Sequence, residues 1–154
     1  MTSINVYTDG SFCRKNNTCG YGVYFPNKEF PNKSEKYVNK GTNQRAELYA
    51  IYDALTTTIK SNKYKTINIY TDSKYSIGCF TTWLGSWKKN NWCSATGKAI
   101  KNLDIIKPTD IIMTEHNIKG TIKFHHVTAH TNGTDIDSKN NDFADQLAKA
   151  GSKK

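Results

Sequence analysis

The sequence lacks the patterns typical of a membrane protein or of a disulfide framework. No apolar run approaches the roughly 20 residues that a membrane-spanning helix needs. The chain enters a strand-like pattern by Ile4, which leaves no room for a targeting peptide. Its four cysteines, Cys13, Cys19, Cys79 and Cys93, show no CxxC spacing, so neither a zinc knuckle nor paired disulfides are predicted. These absences predict an intracellular protein, in the cytoplasm or with the nucleoid or nucleus.

Acidic residues are also scarce. The chain has 13 Asp and Glu against 22 Lys and Arg, which gives a net charge of +9 over 154 residues. A positive surplus of this size usually indicates a polyanionic partner, either nucleic acid or, less often, a membrane surface. A merely soluble cationic surface is the simpler alternative, and charge alone does not exclude it. The membrane surface ranks last, because no cationic helix with a continuous apolar face is apparent.

The hydrophobic pattern predicts a single α/β domain over residues 1–154. Strand-like runs occupy 3–12, 19–26, 34–40, 66–72 and 120–130, and helical patterns occupy 44–60, parts of 73–92, a segment after Asn102, and 142–150. Short connections favour an antiparallel meander for the first three strands, whereas a helical crossover makes the fourth strand parallel to a neighbour. Pro108 is expected to kink or split its helix, and 131–140 is expected to be a polar loop. The sequence therefore predicts a five-stranded mixed sheet flanked by helices.

One hexapeptide occurs twice with a single change, as INVYTD at 4–9 and as INIYTD at 67–72. Because side chains alternate along a strand, the Asn, Tyr and Asp of each copy share one face of the sheet. If the two strands are parallel neighbours, their backbones lie about 4.8 Å apart and Asp9 and Asp72 converge at their carboxyl ends. Such a pair stays ionised only with a cation between the carboxylates, and otherwise one of them takes up a proton.

Two predicted helices supply further acidic candidates. Glu47 lies on the apolar side of its helix, where a carboxylate is costly unless it is paired or bound to metal. An interaction with the helix dipole explains Glu47 equally well, and it is the better explanation for Asp142. Asp145 lies mid-helix, where Asp is a poor helix former. Four carboxylates without soft ligands indicate magnesium or manganese, and two such ions about 3.5–4 Å apart suit phosphodiester cleavage.

Six segments occur in the order found in type 1 ribonuclease H, a family that the chain resembles from about Ile4 to Ala150. They are YTDGSF, TNQRAELYAI, YTDSKYS, WLGSWKKNNW, VTAH and NDFADQLA. The resemblance implies a ribonuclease H-like fold with strand order 3-2-1-4-5, in which strand 2 is antiparallel to the others. It implies an endonuclease that cleaves the RNA strand of an RNA–DNA hybrid and leaves 5′-phosphate and 3′-hydroxyl ends. Magnesium is the expected cofactor, two ions with substrate, with manganese as an alternative, and the chain is expected to be a monomer.

The same resemblance assigns roles to individual residues. Asp9, Glu47, Asp72 and Asp145 would bind the metal, Glu47 would also contact a ribose 2′-hydroxyl, and His130 would assist proton transfer and product release. The expected substrate contacts are Asn16, Asn43 and Gln44 in the minor groove, Lys40, Thr42 and Asn102 at a DNA phosphate, Tyr75 and Trp83 along the DNA channel, and Lys88 and Lys89 on a basic protrusion. From the residues alone, His130 would be an exposed loop histidine.

The sequence also departs from the family pattern. The 15 positions from His130 to Asp145 form a longer span than usual, and Cys93 and Ala95 replace residues that are commonly polar or basic. The chain is expected to be the catalytic domain only, without the hybrid-binding domain of many eukaryotic relatives. Two rival hypotheses are another nuclease or strand-transfer enzyme on the same scaffold, and a module that binds hybrids without cutting them.

Overall fold

Five strands and five helices make up the part of the chain that the computed structural model describes, residues 2–37, 41–128 and 135–154. The strands are β1 Ser3–Cys13, β2 Thr18–Tyr24, β3 Lys33–Tyr37, β4 Thr66–Thr71 and β5 Thr121–His126. The helices are α1 Asn43–Ser61, α2 Lys74–Phe80, α3 Leu84–Lys89, α4 Leu103–Asn117 and α5 Ile136–Ser152. Two predicted site residues, Lys40 and His130, lie outside the described residues.

The strand order is β3-β2-β1-β4-β5, which confirms the predicted topology. β2 is antiparallel to β1 and β3, whereas β4 is parallel to both β1 and β5. The repeated hexapeptides are neighbours in matched register, so that Ile4 lies opposite Ile67 and Tyr7 opposite Tyr70. The two tyrosine rings stack with their centroids 4.5 Å apart. The repeat therefore marks two adjacent parallel strands whose ends meet at one edge of the sheet.

The main hydrophobic core lies between the sheet and the helices on the α1 side. Leu48, Ile51 and Leu55 of α1 are fully buried, and each such burial contributes about 1.5–3 kcal/mol to folding. The helix begins at a cap in which Thr42 Oγ1 accepts a hydrogen bond from the Arg45 backbone N–H at 3.1 Å. It ends at Asn62, whose left-handed backbone has φ 59°. These features fix α1 against β1.

Two glycines let helices approach both faces of the sheet closely. A Cβ at Gly10 would lie 2.4 Å from the Glu47 backbone nitrogen, on the α1 side. A Cβ at Gly22 would lie 2.5 Å from the Ala144 carbonyl oxygen of α5, on the other side. Because Gly22 pairs with Asp9 across β1 and β2, both helices reach the same part of the sheet.

Two local predictions need correction. Of the kink or split expected at Pro108, the split does not occur, because α4 is one helix from Leu103 to Asn117. The carbonyl that Pro108 leaves without a donor is that of Asp104, an exposed residue in the first turn where water can take the donor's place. The polar segment 131–140 is not a loop throughout, because α5 begins at Ile136. Asp135 caps this helix by accepting a hydrogen bond from the Ser138 N–H at 3.2 Å.

No helix among the residues that the structure describes combines the length and the apolar character needed to cross a bilayer.

Candidate active site

Asp9 and Asp72 lie at the edge of the sheet where β1 and β4 part. The pairing of the two strands ends at Tyr7 and Tyr70, and Asp72 follows the last residue of β4. β1 runs past Asp9 to Cys13, close to the predicted end at residue 12, because it remains paired with β2. Asp9 is therefore held in an extended strand and is only 4% exposed.

Glu47 reaches this edge from the second turn of α1 and is 5% exposed. The Gly10 backbone N–H donates a hydrogen bond to Glu47 Oε1 and lies 3.0 Å from Asp9 Oδ1. Asp9, Glu47 and Asp72 each offer one oxygen atom, and the three atoms all lie within 4.8 Å of one another. The three carboxylates that were predicted to converge therefore do so, and hereafter they are called the carboxylate cluster.

The carboxylate cluster concentrates negative charge that its surroundings do not offset. Burial raises the pKa of Asp9, and the negative charges of Glu47 and Asp72 raise it further. Burial likewise raises the pKa of Glu47, against the lowering effect of hydrogen bonds from Asp9 and the Gly10 N–H. Within the described ranges, no Lys or Arg forms an ion pair with any of the three carboxylates. An all-oxygen, negatively charged set without a counterion fits a hard divalent cation.

Asp145 lies beside the carboxylate cluster without being one of its three converging members. Its side chain raises the pKa of Asp9 through a hydrogen-bonding contact, which places it next to that carboxylate. Lys149, one turn further along α5, forms an ion pair with Asp145 at 3.0 Å. Asp142, one turn earlier, forms no ion pair in the described part of the chain. Of these two aspartates, Asp145 is the one with a described contact to the carboxylate cluster.

Two of the predicted phosphate-contacting residues, Thr42 and Asn102, are linked by Arg45, a residue that the sequence did not single out. Arg45 donates a hydrogen bond to Asn102 Oδ1 at 3.1 Å, and its backbone N–H binds the Thr42 hydroxyl. The Asn102 amide nitrogen donates to the Tyr75 hydroxyl oxygen at 2.9 Å. The available signal was the position of Arg45 inside TNQRAEL, the most specific of the quoted segments.

The expected DNA-channel residues form a continuous aromatic surface. The ring centroids of Tyr75 and Trp83 are 6.2 Å apart, and those of Trp83 and Trp87 are 5.9 Å apart. Trp83 is 41% exposed, whereas Trp87 is partly buried against the core. Lys88 is held by an ion pair with Asp110 at 3.1 Å, and the neighbouring Lys89 is exposed. This surface can accept a flat, weakly polar ligand beside a source of positive charge.

The predicted minor-groove residues are all exposed. Asn43 and Gln44 begin α1, close in sequence to Glu47, and Asn16 lies in the turn between β1 and β2. All three side-chain amides are therefore accessible to a ligand. Those of Asn43 and Gln44 lie on the same helix as Glu47 of the carboxylate cluster.

Comparison with known proteins gives the same family throughout. A family model described as RNase H matches residues 1–153. A ribonuclease H from Ruthia magnifica subsp. Calyptogena magnifica is 36% identical over 149 residues, which cover 96% of this chain and 94% of that protein. Ribonuclease HI of Pasteurella multocida is 34% identical and covers 96% and 88% of the two chains. Ribonuclease H1 of Rattus norvegicus is 35% identical, and the chain spans 50% of its length.

Two solved structures with the same fold are foamy virus proteins. The solution structure of the PFV RNase H domain has a TM-score of 0.77 and 24% identity, and covers 99% of this chain and 96% of that one. A foamy viral protease-reverse transcriptase in complex with RNA/DNA hybrid has a TM-score of 0.78 and 23% identity, covering 98% of this chain and 20% of that one. At these identities the likeness shows the fold alone.

Proposed function

Because this chain belongs to the ribonuclease H family, we propose that it hydrolyses the RNA strand of RNA–DNA hybrids and leaves 5′-phosphate and 3′-hydroxyl ends. The observation that carries the proposal is the carboxylate cluster, in which three acidic oxygens lie within 4.8 Å of one another and lack a described counterion. Buried like charges of this kind are unfavourable unless a cation joins them. The net charge of +9 supports a polyanionic substrate.

Asp9, Glu47 and Asp72 would hold the metal, with Asp145 beside them as a further ligand. Magnesium is the proposed cofactor, as two ions when substrate is bound, and manganese is the alternative. When bound, the metal would lower the pKa of a water molecule and stabilise the charge that develops on the phosphate and the departing 3′ oxygen. The donor set fits this ion, because hard cations prefer carboxylate oxygens.

The protein's own contribution is to orient these ligands and to bury them. The Gly10 N–H holds the carboxylates of Asp9 and Glu47 towards each other, and Lys149 holds that of Asp145. Burial strengthens each carboxylate's attraction to a cation, since the local dielectric constant is lower than that of water. Glu47 would also contact a ribose 2′-hydroxyl. His130, outside the described residues, is proposed to move a proton and assist product release.

Recognition of the hybrid would be divided between its two strands. Asn16, Asn43 and Gln44 are exposed amides that can reach the RNA minor groove, where 2′-hydroxyls distinguish RNA from DNA. Lys40, Thr42 and Asn102 would bind a DNA phosphate, and Tyr75 and Trp83 would face the deoxyribose. Lys88 and Lys89 would add electrostatic attraction. We propose that the chain acts as a monomeric catalytic domain in compartments where hybrids form, the cytoplasm, nucleoid or nucleus.

A comparison of three labelled duplexes tests this function. With magnesium, the protein should cleave RNA in RNA–DNA and should leave RNA–RNA and DNA–DNA intact, and Asp9→Asn should abolish cleavage while the fold persists. Activity should fall steeply with salt, because phosphate contacts release counterions. Cleavage that ignores the 2′-hydroxyl would indicate another nuclease or strand-transfer enzyme. Hybrid binding without turnover in any divalent ion would indicate a binding module, and either outcome would refute the proposal.

A further inference from the structure

We propose that Arg45 is a positioning residue that sets the hydrogen-bonding polarity of the pocket formed by Thr42 and Asn102. The inference rests on the proposed function, since the ligand of this pocket would be a phosphate of the hybrid's DNA strand. Arg45 would not bind that phosphate itself. It would turn the acceptor atoms of the pocket inward, so that only hydrogen-bond donors face the anion.

Both terminal nitrogens of the Arg45 guanidinium are already engaged within the protein. Nη1 donates to Asn102 Oδ1 at 3.1 Å and to Asp104 Oδ1 at 3.0 Å. Nη2 donates to Asp104 Oδ2 at 2.5 Å and to the Tyr37 hydroxyl at 3.1 Å. The Arg45 side chain is 17% exposed and its charge is offset by Asp104. An arginine with both terminal nitrogens occupied has little left for a ligand, but it fixes the groups around it.

The Asn102 amide is the group whose orientation matters most. An amide presents an acceptor on one side and two N–H donors on the other, and the two sides exchange if it turns over. Because a guanidinium has donors only, Arg45 can face only Oδ1 of Asn102. Nδ2 then donates to the Tyr75 hydroxyl at 2.9 Å, and within the described ranges its second N–H has no hydrogen-bond partner. Without Arg45, the amide could turn and present Oδ1 to the phosphate, which would repel it.

Asn102 is well placed for this task because it does not cap its own helix. It is the residue immediately before α4 and has the left-handed conformation, with φ 65° and ψ 22°, and its side chain makes no capping hydrogen bond. Asn tolerates this conformation better than most residues. The backbone therefore directs the side chain away from α4 and towards Arg45 and Tyr75.

Thr42 shows the same polarity on the other side of Arg45. Its Oγ1 accepts the Arg45 backbone N–H at 3.1 Å, and among the described residues the hydroxyl hydrogen has no acceptor of its own. Thr42 also stands at the N-terminus of the 19-residue helix α1, where the helix dipole favours a negative charge. Arg45 thus donates one hydrogen bond from its backbone to Thr42 and one from its side chain to Asn102. Each of the two residues keeps a donor that can face the anion.

The substitution Asp104→Asn distinguishes a positioning role from a simple charge effect, because the two predict opposite changes in hybrid affinity. Removing a negative charge near a polyanion should tighten hybrid binding if Asp104 is only a surface charge. If Asp104 instead holds Arg45, the loss of the bidentate pair should raise the hybrid Kd and KM about threefold to tenfold. Arg45→Lys keeps the charge and should raise both about tenfold, since an ammonium cannot reproduce the planar fork. In both variants kcat should stay within about twofold of the parent value.

Glu115→Gln is the matched control. It makes the same charge change near the other end of α4, where Glu115 is exposed and forms no ion pair in the described part of the chain. Its hybrid affinity should be unchanged or slightly higher. Thermal unfolding of all three variants shows whether each is folded at the assay temperature.

A scan of the DNA strand with single methylphosphonates, which remove one phosphate charge at a time, locates the effect. One position should weaken binding to the parent protein, and Arg45→Lys should be insensitive to that position while keeping its sensitivity elsewhere. A purely structural defect would instead lower affinity equally at every position. Tighter binding by Asp104→Asn, or unchanged sensitivity in Arg45→Lys, would overturn the inference and leave the proposed function intact. Failure of the parent protein to bind or cleave hybrids would overturn both.

Discussion

Two groups of charged side chains start from neighbouring turns of α1 and differ in every electrostatic respect. Arg45 belongs to a group of opposite charges, in which Asp104, Asn102 and Tyr37 satisfy both terminal nitrogens. Glu47, two residues later, belongs to the carboxylate cluster, whose members carry the same charge and are buried. In the first group, the charge of Arg45 is offset by Asp104 within the protein. The second has no described counterion.

This difference separates residues that hold the architecture from residues that await a ligand. Proteins bury like charges only where function requires it, because each uncompensated charge opposes folding. The Arg45 group instead ties the start of α1 to the start of α4, and the two groups share one helix. Substitutions that change the charge of one group or of the other should therefore differ in the size and the sign of their effects.

Asp9→Asn should reduce hybrid cleavage at least about 1,000-fold, since it removes a central carboxylate from the proposed metal site. Single-turnover cleavage of a labelled hybrid with saturating magnesium measures the loss. Hybrid binding in EDTA should remain, because the substrate contacts lie on other residues. Appreciable cleavage by a folded Asp9→Asn variant would show that the carboxylate cluster is not the catalytic centre.

Asp145→Asn should cost about 100-fold in activity, whereas Asp142→Asn should stay within about twofold of the parent protein. The reason is placement, since Asp145 acts directly on Asp9 and Asp142 lies one turn away. The same assay compares the two variants, and a magnesium titration should show weaker metal activation for Asp145→Asn alone. Equal losses in the pair would mean that helix α5 as a whole, and not one carboxylate, supports catalysis.

Much of this arrangement was predictable because it follows from short-range patterns. The strand period of two, together with the repeated hexapeptide, placed Asp9 and Asp72 on one face and at one edge. The observed register, Ile4 opposite Ile67, is the simplest that the repeat allows. Glu47 was suggested by its position on the apolar side of a helix. Each inference needed only the geometry of one element and its neighbour.

The Arg45 group was not predictable, because its partners are distant in the sequence. Asn102 and Asp104 lie 57 and 59 residues from Arg45, and no local periodicity links them. The start of α5 was missed for a different reason. The apolar residue of its first turn, Ile136, is exposed and does not anchor the helix, although the spacing of Asp135 and Ser138 was a readable capping signal. Hydrogen bonds between polar groups determine both the Arg45 group and the start of α5, and the hydrophobic pattern of the sequence does not predict such bonds.

The stability of the metal-free protein should depend on pH in the direction set by the carboxylate cluster. Burial and like charge raise the pKa of Asp9 and of Glu47 above their ordinary values of 3.8 and 4.5. The folded state therefore retains protons that the unfolded chain loses. The free energy of unfolding should decrease as the pH rises above the ordinary pKa values of these two carboxyl groups. Thermal unfolding in EDTA between pH 5 and 9 should show it.

Asp9→Asn tests whether the cluster causes that dependence. The variant should raise the free energy of unfolding by about 1–2 kcal/mol in EDTA at neutral pH and flatten the pH profile. Magnesium should stabilise the parent protein more than the variant, since an ion bound only by the folded state shifts the equilibrium towards it. A variant less stable than its parent in EDTA would show that the cluster is satisfied without metal.

The smallest expected effect has the opposite sign and completes the comparison. Hydrogen bonding to Arg45 lowers the pKa of Asp104 below its ordinary value of 3.8, so its contribution to stability is present at neutral pH and is lost as the pH falls below that value. Because the Asp104 side chain is 63% exposed, solvent screens the pair and Asp104→Asn should cost less than about 1 kcal/mol. Thermal unfolding in EDTA should show a slightly lower unfolding temperature for Asp104→Asn than for the parent protein at pH 7, and no difference at pH 3. Asp9→Asn should stabilise the protein at pH 7. If Asp104→Asn did the same, the charges of Arg45 and Asp104 would not offset each other, and the contrast between the Arg45 group and the carboxylate cluster would fail.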